Sequence, residues 1–218
     1  MERLICLVIG YVLGNFQTAY IYGKAKGIDI REHGSGNAGT TNSLRVLGRK
    51  AGAIVFAGDV LKCVLAIFIT KWLFGEKHAD IISLLTLYAA TGTILGHNYP
   101  VVLNFRGGKG MACTAGFMLS YHPITCLVGI IVFLGAFIFT HYVSLGSILV
   151  YIVFPFVMIG LCVKGAVGTL TMLHIVEIMI LSLFLSVMAI CRHAENIKRL
   201  VSGTERKTYL SKKSQGTT

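Results

Sequence analysis

The stretch Gly34-Ser35-Gly36-Asn37-Ala38-Gly39-Thr40-Thr41-Asn42-Ser43-Leu44-Arg45 holds three glycines, four hydroxyl side chains, two asparagines and an arginine. Glycines let the backbone turn through positive φ, so that successive N–H groups converge on an anion. The hydroxyls and amides add donors, and the Arg45 guanidinium offers a fork that matches phosphate oxygens. The chemistry on offer is the holding of a phosphate. A flexible linker has a similar composition, so the rest of the chain must decide.

Three further polar clusters could contribute. Arg106-Gly107-Gly108-Lys109-Gly110 again pairs a flexible backbone with two cations. It lacks the spacing of a nucleotide-binding P-loop. Ser144 and Ser147 lie at the head of an apolar run, and His193, Asn196 and Glu205 lie in a basic tail. Each has a plainer reading. Arg106 and Lys109 could serve membrane topology alone, the two serines could bond helix carbonyls, and His97-Asn98 could end a helix. Lys198 and Arg199 suit anionic headgroups.

The elements that position these clusters are membrane spans. Of the 218 residues 55% are hydrophobic and only 13% are charged, with a mean hydropathy of +0.74. Soluble domains carry about 25% charged residues. So much apolar surface cannot be hidden in so small a globule, and an all-α integral membrane protein follows. The net charge of +11 sits between the apolar runs, which argues for topology and against nucleic acid. The six cysteines are scattered, without metal or disulfide spacing. The first apolar run, after a single Arg3, reads as a span and not as a cleaved signal.

Seven transmembrane helices, some short, are expected near residues 4–22, 51–74, 80–99, 111–121, 124–140, 143–163 and 170–191, in one polytopic domain spanning 1–218 with a basic tail from 192 to 218. The first carries Gly10 and Gly14 as a small-residue packing face. The second carries Asp59 and Lys62, i and i+3 on one face, which are expected to pair. His122-Pro123 splits the fourth from the fifth. Lys24, Lys26, Arg31, Arg45, Arg49, Lys50, Arg106, Lys109, Arg192, Lys198, Arg199, Arg206, Lys207, Lys212 and Lys213 then fall on one side. Arg3, Lys77 and Lys164 fall on the other. The positive-inside rule predicts an external N-terminus and a cytoplasmic tail, with every polar cluster at the cytoplasmic face.

These clusters together resemble the motifs of the bacterial acyl-phosphate:glycerol-3-phosphate acyltransferases, the PlsY family. The first stretch through Arg45, and Gly96-His97-Asn98-Tyr99-Pro100 leading to Phe105-Arg106-Gly107-Gly108-Lys109-Gly110, are similar to two of its motifs. Tyr142-Val143-Ser144-Leu145-Gly146-Ser147 resembles its serine-bearing turn. His193-Ala194-Glu195-Asn196-Ile197-Lys198-Arg199-Leu200 with Gly203-Thr204-Glu205 resembles its C-terminal motif. The family often has Lys in place of Arg106 and Pro-Gly-Ala in place of Ala38-Gly39-Thr40.

The resemblance implies transfer of a fatty acyl group from acyl phosphate to the 1-hydroxyl of glycerol 3-phosphate, giving lysophosphatidic acid and phosphate, at the start of phospholipid synthesis. It implies Ser35, Arg45, Lys109, His193, Asn196 and Glu205 as catalytic residues. Substrate would be held by Gly36, Asn37, Gly39, Thr40, Thr41, Asn42, Arg49, Gly107, Gly108, Gly110, Ser144 and Ser147. In that picture the Gly107-Gly108 backbone holds one phosphate with Lys109, and the base is His193 or a substrate phosphate oxygen. No cofactor and no metal is implied. The location would be the bacterial inner membrane, with possible functional coupling to the enzyme that makes acyl phosphate. A small transporter of phosphate esters or anions is the alternative, although a transporter site lies at the bilayer midplane between repeats. A CDP-alcohol transferase would need an array of metal-binding aspartates, and the chain has only Asp29, Asp59 and Asp80.

Overall fold

The computed structural model describes residues 1–209; residues 210–218 of the expected tail, with Lys212 and Lys213, lie outside it. Among the described residues ten α-helices run in the order α1 Glu2–Gly14, α2 Thr18–Ala25, α3 Thr40–Leu47, α4 Arg49–Phe74, α5 Ile82–Asn98, α6 Met111–Tyr121, α7 Pro123–Thr140, α8 Val143–Val163, α9 Met172–Arg192 and α10 Ala194–Val201. Five segments are long and apolar enough to cross a membrane: Glu2–Ala25, Arg49–Phe74, Pro123–Thr140, Val143–Val163 and Met172–Arg192. The 17-residue α5 and 11-residue α6 are shorter than a span of about 20 residues. The outer coat is apolar, with Trp72, Phe139, Phe156 and Leu173 exposed. Such a surface fits lipid and not water.

Helix α5 runs through the middle of the bundle. Leu84, Leu85, Leu87, Ala89 and Ala90 on it are all 0% exposed. Helix α1 crosses it at near backbone contact. A methyl group on Gly10 would stand 1.9 Å from the Ala89 carbonyl oxygen, and one on Gly92 would stand 2.0 Å from that of Leu7. Small residues permit that approach, and dispersion between the two backbones replaces side-chain interdigitation.

The first span is interrupted at Asn15–Gln17, where the sequence suggests one unbroken run. The buried Gln17 amide donates to the Gly14, Gly96 and His97 carbonyls at 3.1, 3.3 and 3.1 Å. Asn15 Oδ1 accepts from the Val101 N–H at 2.8 Å. The break is thus tied to the end of α5 and the loop that follows it.

The ends of the spans sort into two groups. The Glu2 carboxylate lies 3.8 Å from His78, and Lys71 donates to the Ser120 carbonyl at 3.1 Å, which gathers the α4–α5 and α6–α7 turns at one end. The loop before α3, the loop before α6, the α7–α8 turn and α10 gather at the other end. Every glycine-rich or polar cluster of the sequence lies there.

Candidate active site

Two of the helices that open at this end do so after a glycine that closes a glycine-rich loop, without a side-chain cap. Helix α3 begins after Gly39, and α6 begins after Gly110, which takes φ +80. The first N–H groups of such a helix have no intrahelical partner and draw negative charge. Thr40, at the first turn of α3, also has a buried hydroxyl with no hydrogen-bond partner among the described residues. The two openings are adjacent, because a methyl on Gly108 would stand 2.9 Å from the Ala38 carbonyl oxygen.

The first loop is shaped by Asn42. Its Oδ1 accepts from the Ser35 N–H at 2.8 Å, and its Nδ2 donates to the Ile30 and His33 carbonyls at 3.1 and 2.9 Å. Asp29 anchors the loop's start by accepting from Arg31 at 2.7 Å, and Arg31 also reaches the Leu103 carbonyl at 3.4 Å. The Arg31 hydrogen bonds hold the Asp29 carboxyl down to about 2. The Ser35 hydroxyl, exposed at the rim, makes no hydrogen bond among the described residues.

The second loop is fixed from both sides. The Gly107 N–H donates to the Asn98 carbonyl at 3.3 Å and the Gly108 N–H to the His97 carbonyl at 3.0 Å. Their own carbonyls accept from the Arg192 guanidinium, Gly107 at 3.1 Å and Gly108 at 2.7 Å. Arg192 lies 5.2 Å over the Tyr99 ring. This arrangement delivers Lys109, half-buried, to Asn196 Oδ1, to which its ammonium donates.

Glu205 is the hub of the remaining side chains. It accepts from Ser144 Oγ at 2.8 Å, Asn196 Nδ2 at 2.7 Å and Arg199 Nε at 2.7 Å. Burial alone would raise its carboxyl. The hydrogen bonds from Asn196, Arg199 and Ser144 outweigh that and hold it below the ordinary value. The strand of chain around it is strapped down as well. Arg45 donates to the Arg206 carbonyl at 3.0 Å and to the Thr208 hydroxyl at 2.7 Å, and the Thr208 N–H donates to the His141 carbonyl at 2.9 Å. Glu205→Ala would strand three donors. Charge-assisted hydrogen bonds contribute about 1.5–3 kcal/mol each, but Arg199 is partly solvent-screened. The expected loss is about 3 kcal/mol, visible as a lower thermal unfolding midpoint in detergent. An unchanged midpoint would contradict the hub.

Lys109 is therefore surrounded by cations. Burial first, then Arg199, with Arg192 and Arg45 also acting against the attraction of Glu205, lowers its ammonium to about 8. Four positive side chains facing one carboxylate leave uncompensated charge for an anionic ligand. His193 is buried, and its Nδ1 donates to the Ala189 carbonyl at 2.8 Å. Burial pushes it down to about 4. It is thus a neutral imidazole whose Nε2 lone pair is available to accept a hydrogen bond. Among the described residues no group of three His, Cys, Asp or Glu side chains is placed to hold a metal ion.

Known proteins resemble this chain over nearly its whole length. The sequence model of the glycerol-3-phosphate acyltransferase family matches residues 4–203. The chain belongs to that family. A glycerol-3-phosphate acyltransferase of Clostridioides difficile is 45% identical over 206 residues, covering 94% of each chain. One of Bacillus subtilis is 37% identical, covering 93% of this chain and 96% of the relative. A crystal structure of PlsY, an integral membrane glycerol 3-phosphate acyltransferase in its glycerol 3-phosphate form, superposes with a TM-score of 0.80. It is 34% identical and covers 96% of each chain. Its lysophosphatidic acid form superposes with a TM-score of 0.77. The all-helical fold of this acyltransferase is that of an integral membrane enzyme, and the transporter alternative is not favoured.

Within this family member, the fold brings Lys109, Ser144, Asn196, Arg199 and Glu205 into one network, with Arg45 joined through residues 206–208. Ser35, Gly36, Asn37, Gly39, Thr40 and Thr41 line the loop and helix opening beside it, and Gly110 opens α6. Four groups of expected substrate-binding residues have other partners or another setting in the structure. The Gly107 and Gly108 N–H groups do not point to a ligand, since the His97 and Asn98 carbonyls take them. Asn42 has its amide engaged by the loop backbone and acts as a staple. Ser147 donates to the Val143 carbonyl of its own helix at 3.0 Å. Arg49 opens α4 exposed to solvent. Sequence reasoning missed Arg192 as a clamp because it reads as one more basic residue after a span. It missed Gln17 too, although a lone amide inside an apolar run is a signal that its backbone surroundings need a donor.

Proposed function

We propose that this acyltransferase moves a fatty acyl group from acyl phosphate to the 1-hydroxyl of glycerol 3-phosphate. The observation that carries the reading is the excess of cations, Arg45, Lys109, Arg192 and Arg199, over the single Glu205 at the uncapped starts of α3 and α6. Two phosphates held there bring hydroxyl and acyl carbonyl together, which supplies the proximity contribution. The hydroxyl oxygen forms the new ester bond to the acyl carbon, the acyl–phosphate C–O bond breaks, and phosphate departs with the electron pair. Lys109 stabilises the charge that develops on the departing group. His193 Nε2 accepts a hydrogen bond from the attacking hydroxyl and orients it. With its ring held to about 4, the phosphate oxygen is the better final proton acceptor. The positive-inside rule supports a cytoplasmic site in the bacterial cell membrane with the N-terminus outside. There the water-facing end would meet acyl phosphate supplied by the enzyme that makes it.

Purified protein supplied with acyl phosphate and glycerol 3-phosphate should release one phosphate per lysophosphatidic acid formed. Refusal of acyl phosphate with acceptance of acyl-CoA would overturn the donor. The pH profile gives a second check. Lys109 must be charged to hold phosphate, and its pKa of about 8 in the free enzyme makes kcat/KM fall as pH rises through that value, approaching tenfold per unit above it. Because His193 is neutral from about pH 5 upward, it contributes no limb near pH 6.5. A profile flat from pH 7 to about 10 would contradict the Lys109 assignment.

A further inference from the structure

A charged cluster lies beneath the diglycine, inside the bundle. The Lys62 ammonium on α4 stands 2.9 Å from Asp59 Oδ1, 2.8 Å from the Phe16 carbonyl and 2.9 Å from His97 Nδ1. The Thr18 hydroxyl donates to Asp59 at 3.3 Å. Asp59, Lys62 and His97 are only 1%, 5% and 3% exposed. Charges inside a span are unfavourable, and replacing a buried pair by apolar side chains is commonly neutral or stabilising. Stability alone therefore does not account for the cluster.

Its geometry does more than neutralise charge. An ammonium has three donors and no acceptor, and these three partners take all of them. Asp59 Oδ1 lies 3.6 Å from His97 Nδ1, beyond hydrogen-bond reach, whereas the Lys62 ammonium lies at 2.9 Å, so Nδ1 accepts from Lys62 and the neutral ring carries its proton on Nε2. The Nε2 edge is pressed against Gly108, where a methyl would stand 2.1 Å from Nε2. The His97 carbonyl meanwhile accepts the Gly108 N–H at 3.0 Å. Ring and backbone of one residue thus set the position of the glycine that precedes Lys109.

We propose that Asp59 and Lys62 are positioning residues for the acyl transfer. Through Lys62 they lock His97 as its Nε2–H tautomer against Gly108, and His97 sets the diglycine that aims Lys109 at the phosphate site. The kinetic part of this role rests on the reaction proposed above; the tautomer does not.

The tautomer is read first, without substrate, from the histidine nitrogen NMR shifts of isotope-labelled wild-type protein in detergent micelles. His97 should show a protonated Nε2 and an unprotonated, hydrogen-bonded Nδ1. A protonated Nδ1 overturns the lock. The second measurement uses the D59L/K62M protein, which loses both charges. It should remain folded, lose the fixed His97 signature, and show kcat/KM reduced about 100-fold, the effect of misplacing a reacting group by about 1 Å. Wild-type kcat/KM in that folded protein overturns the positioning role. Should it fail to fold, Lys62→Arg takes its place. The planar guanidinium keeps the charge pair but cannot reach all three partners as a compact ammonium does. A similar fall with a shifted His97 signature supports the proposal, and unchanged kcat/KM overturns it. Wild-type protein that released no phosphate would overturn the reaction and leave the lock standing, and glycerol 3-phosphate binding would then replace turnover as the readout.

Discussion

Lys109→Ala is expected to lower kcat/KM by about 10²–10³-fold while the protein stays folded. The ammonium is brought to Asn196 at the rim of the Glu205 network, where Arg45, Arg192 and Arg199 already repel it. A cation held among other cations is destabilised until an anion arrives, so its attraction is realised with phosphate bound. Removing a donor aimed at developing charge in a water-poor site raises the barrier by about 3–4 kcal/mol. Truncation also relieves repulsion in the empty protein, so the thermal unfolding midpoint should hold or rise. Steady-state phosphate release gives the first quantity and a detergent melt the second. Turnover within about tenfold of wild type would remove Lys109 from the reaction. Lys109→Arg is not a rescue, because a planar fork does not replace a compact ammonium.

Gly107→Ala should reduce kcat/KM by about 100-fold. The added methyl would lie 2.0 Å from the His97 carbonyl oxygen, 2.6 Å from Pro100 Cδ and 2.9 Å from the Asn98 carbonyl oxygen. Two of these are backbone atoms, which cannot rotate aside. The diglycine cannot yield either, since His97, Asn98 and Arg192 engage its N–H and C=O groups. The strain must pass along the chain to Lys109. Gly135→Ala, in the lipid-facing α7 with nothing among the described residues within 4 Å of the new methyl, is the matched control. It should leave kinetics unchanged and strengthen the helix by about 0.5–1 kcal/mol. Equal effects at the two positions would mean that the diglycine is not a site element.

The sequence was most informative where chemistry or lipid restricts residue type. Gly10 and Gly14 announced a close helix crossing, because few other residues permit one. The pairing of Asp59 with Lys62 followed from their shared helix face and the low polarity around them. The glycine loops announced an unusual backbone, but not which way its N–H groups would face. That direction depends on φ and ψ values imposed by partners far away in sequence, here the end of α5 and Arg192. The same limit hid the staple made by Asn42, whose amide could equally have served a ligand. It also hid the partners of Arg45, which lie 161 and 163 positions further along the chain.

That last separation bears on how the enzyme is born. The loop that precedes α3 leaves the ribosome well before the groups that fix Arg45, 161 and 163 positions further along, and before the carboxylate that gathers Ser144, Asn196 and Arg199. Closing contacts so distant in sequence is slow compared with forming helices. A nascent chain can therefore insert most of its spans while its cations remain unassembled. A chain that ends before residue 205 is therefore expected to insert its spans yet to lack the contacts that gather Arg45, Ser144, Asn196 and Arg199.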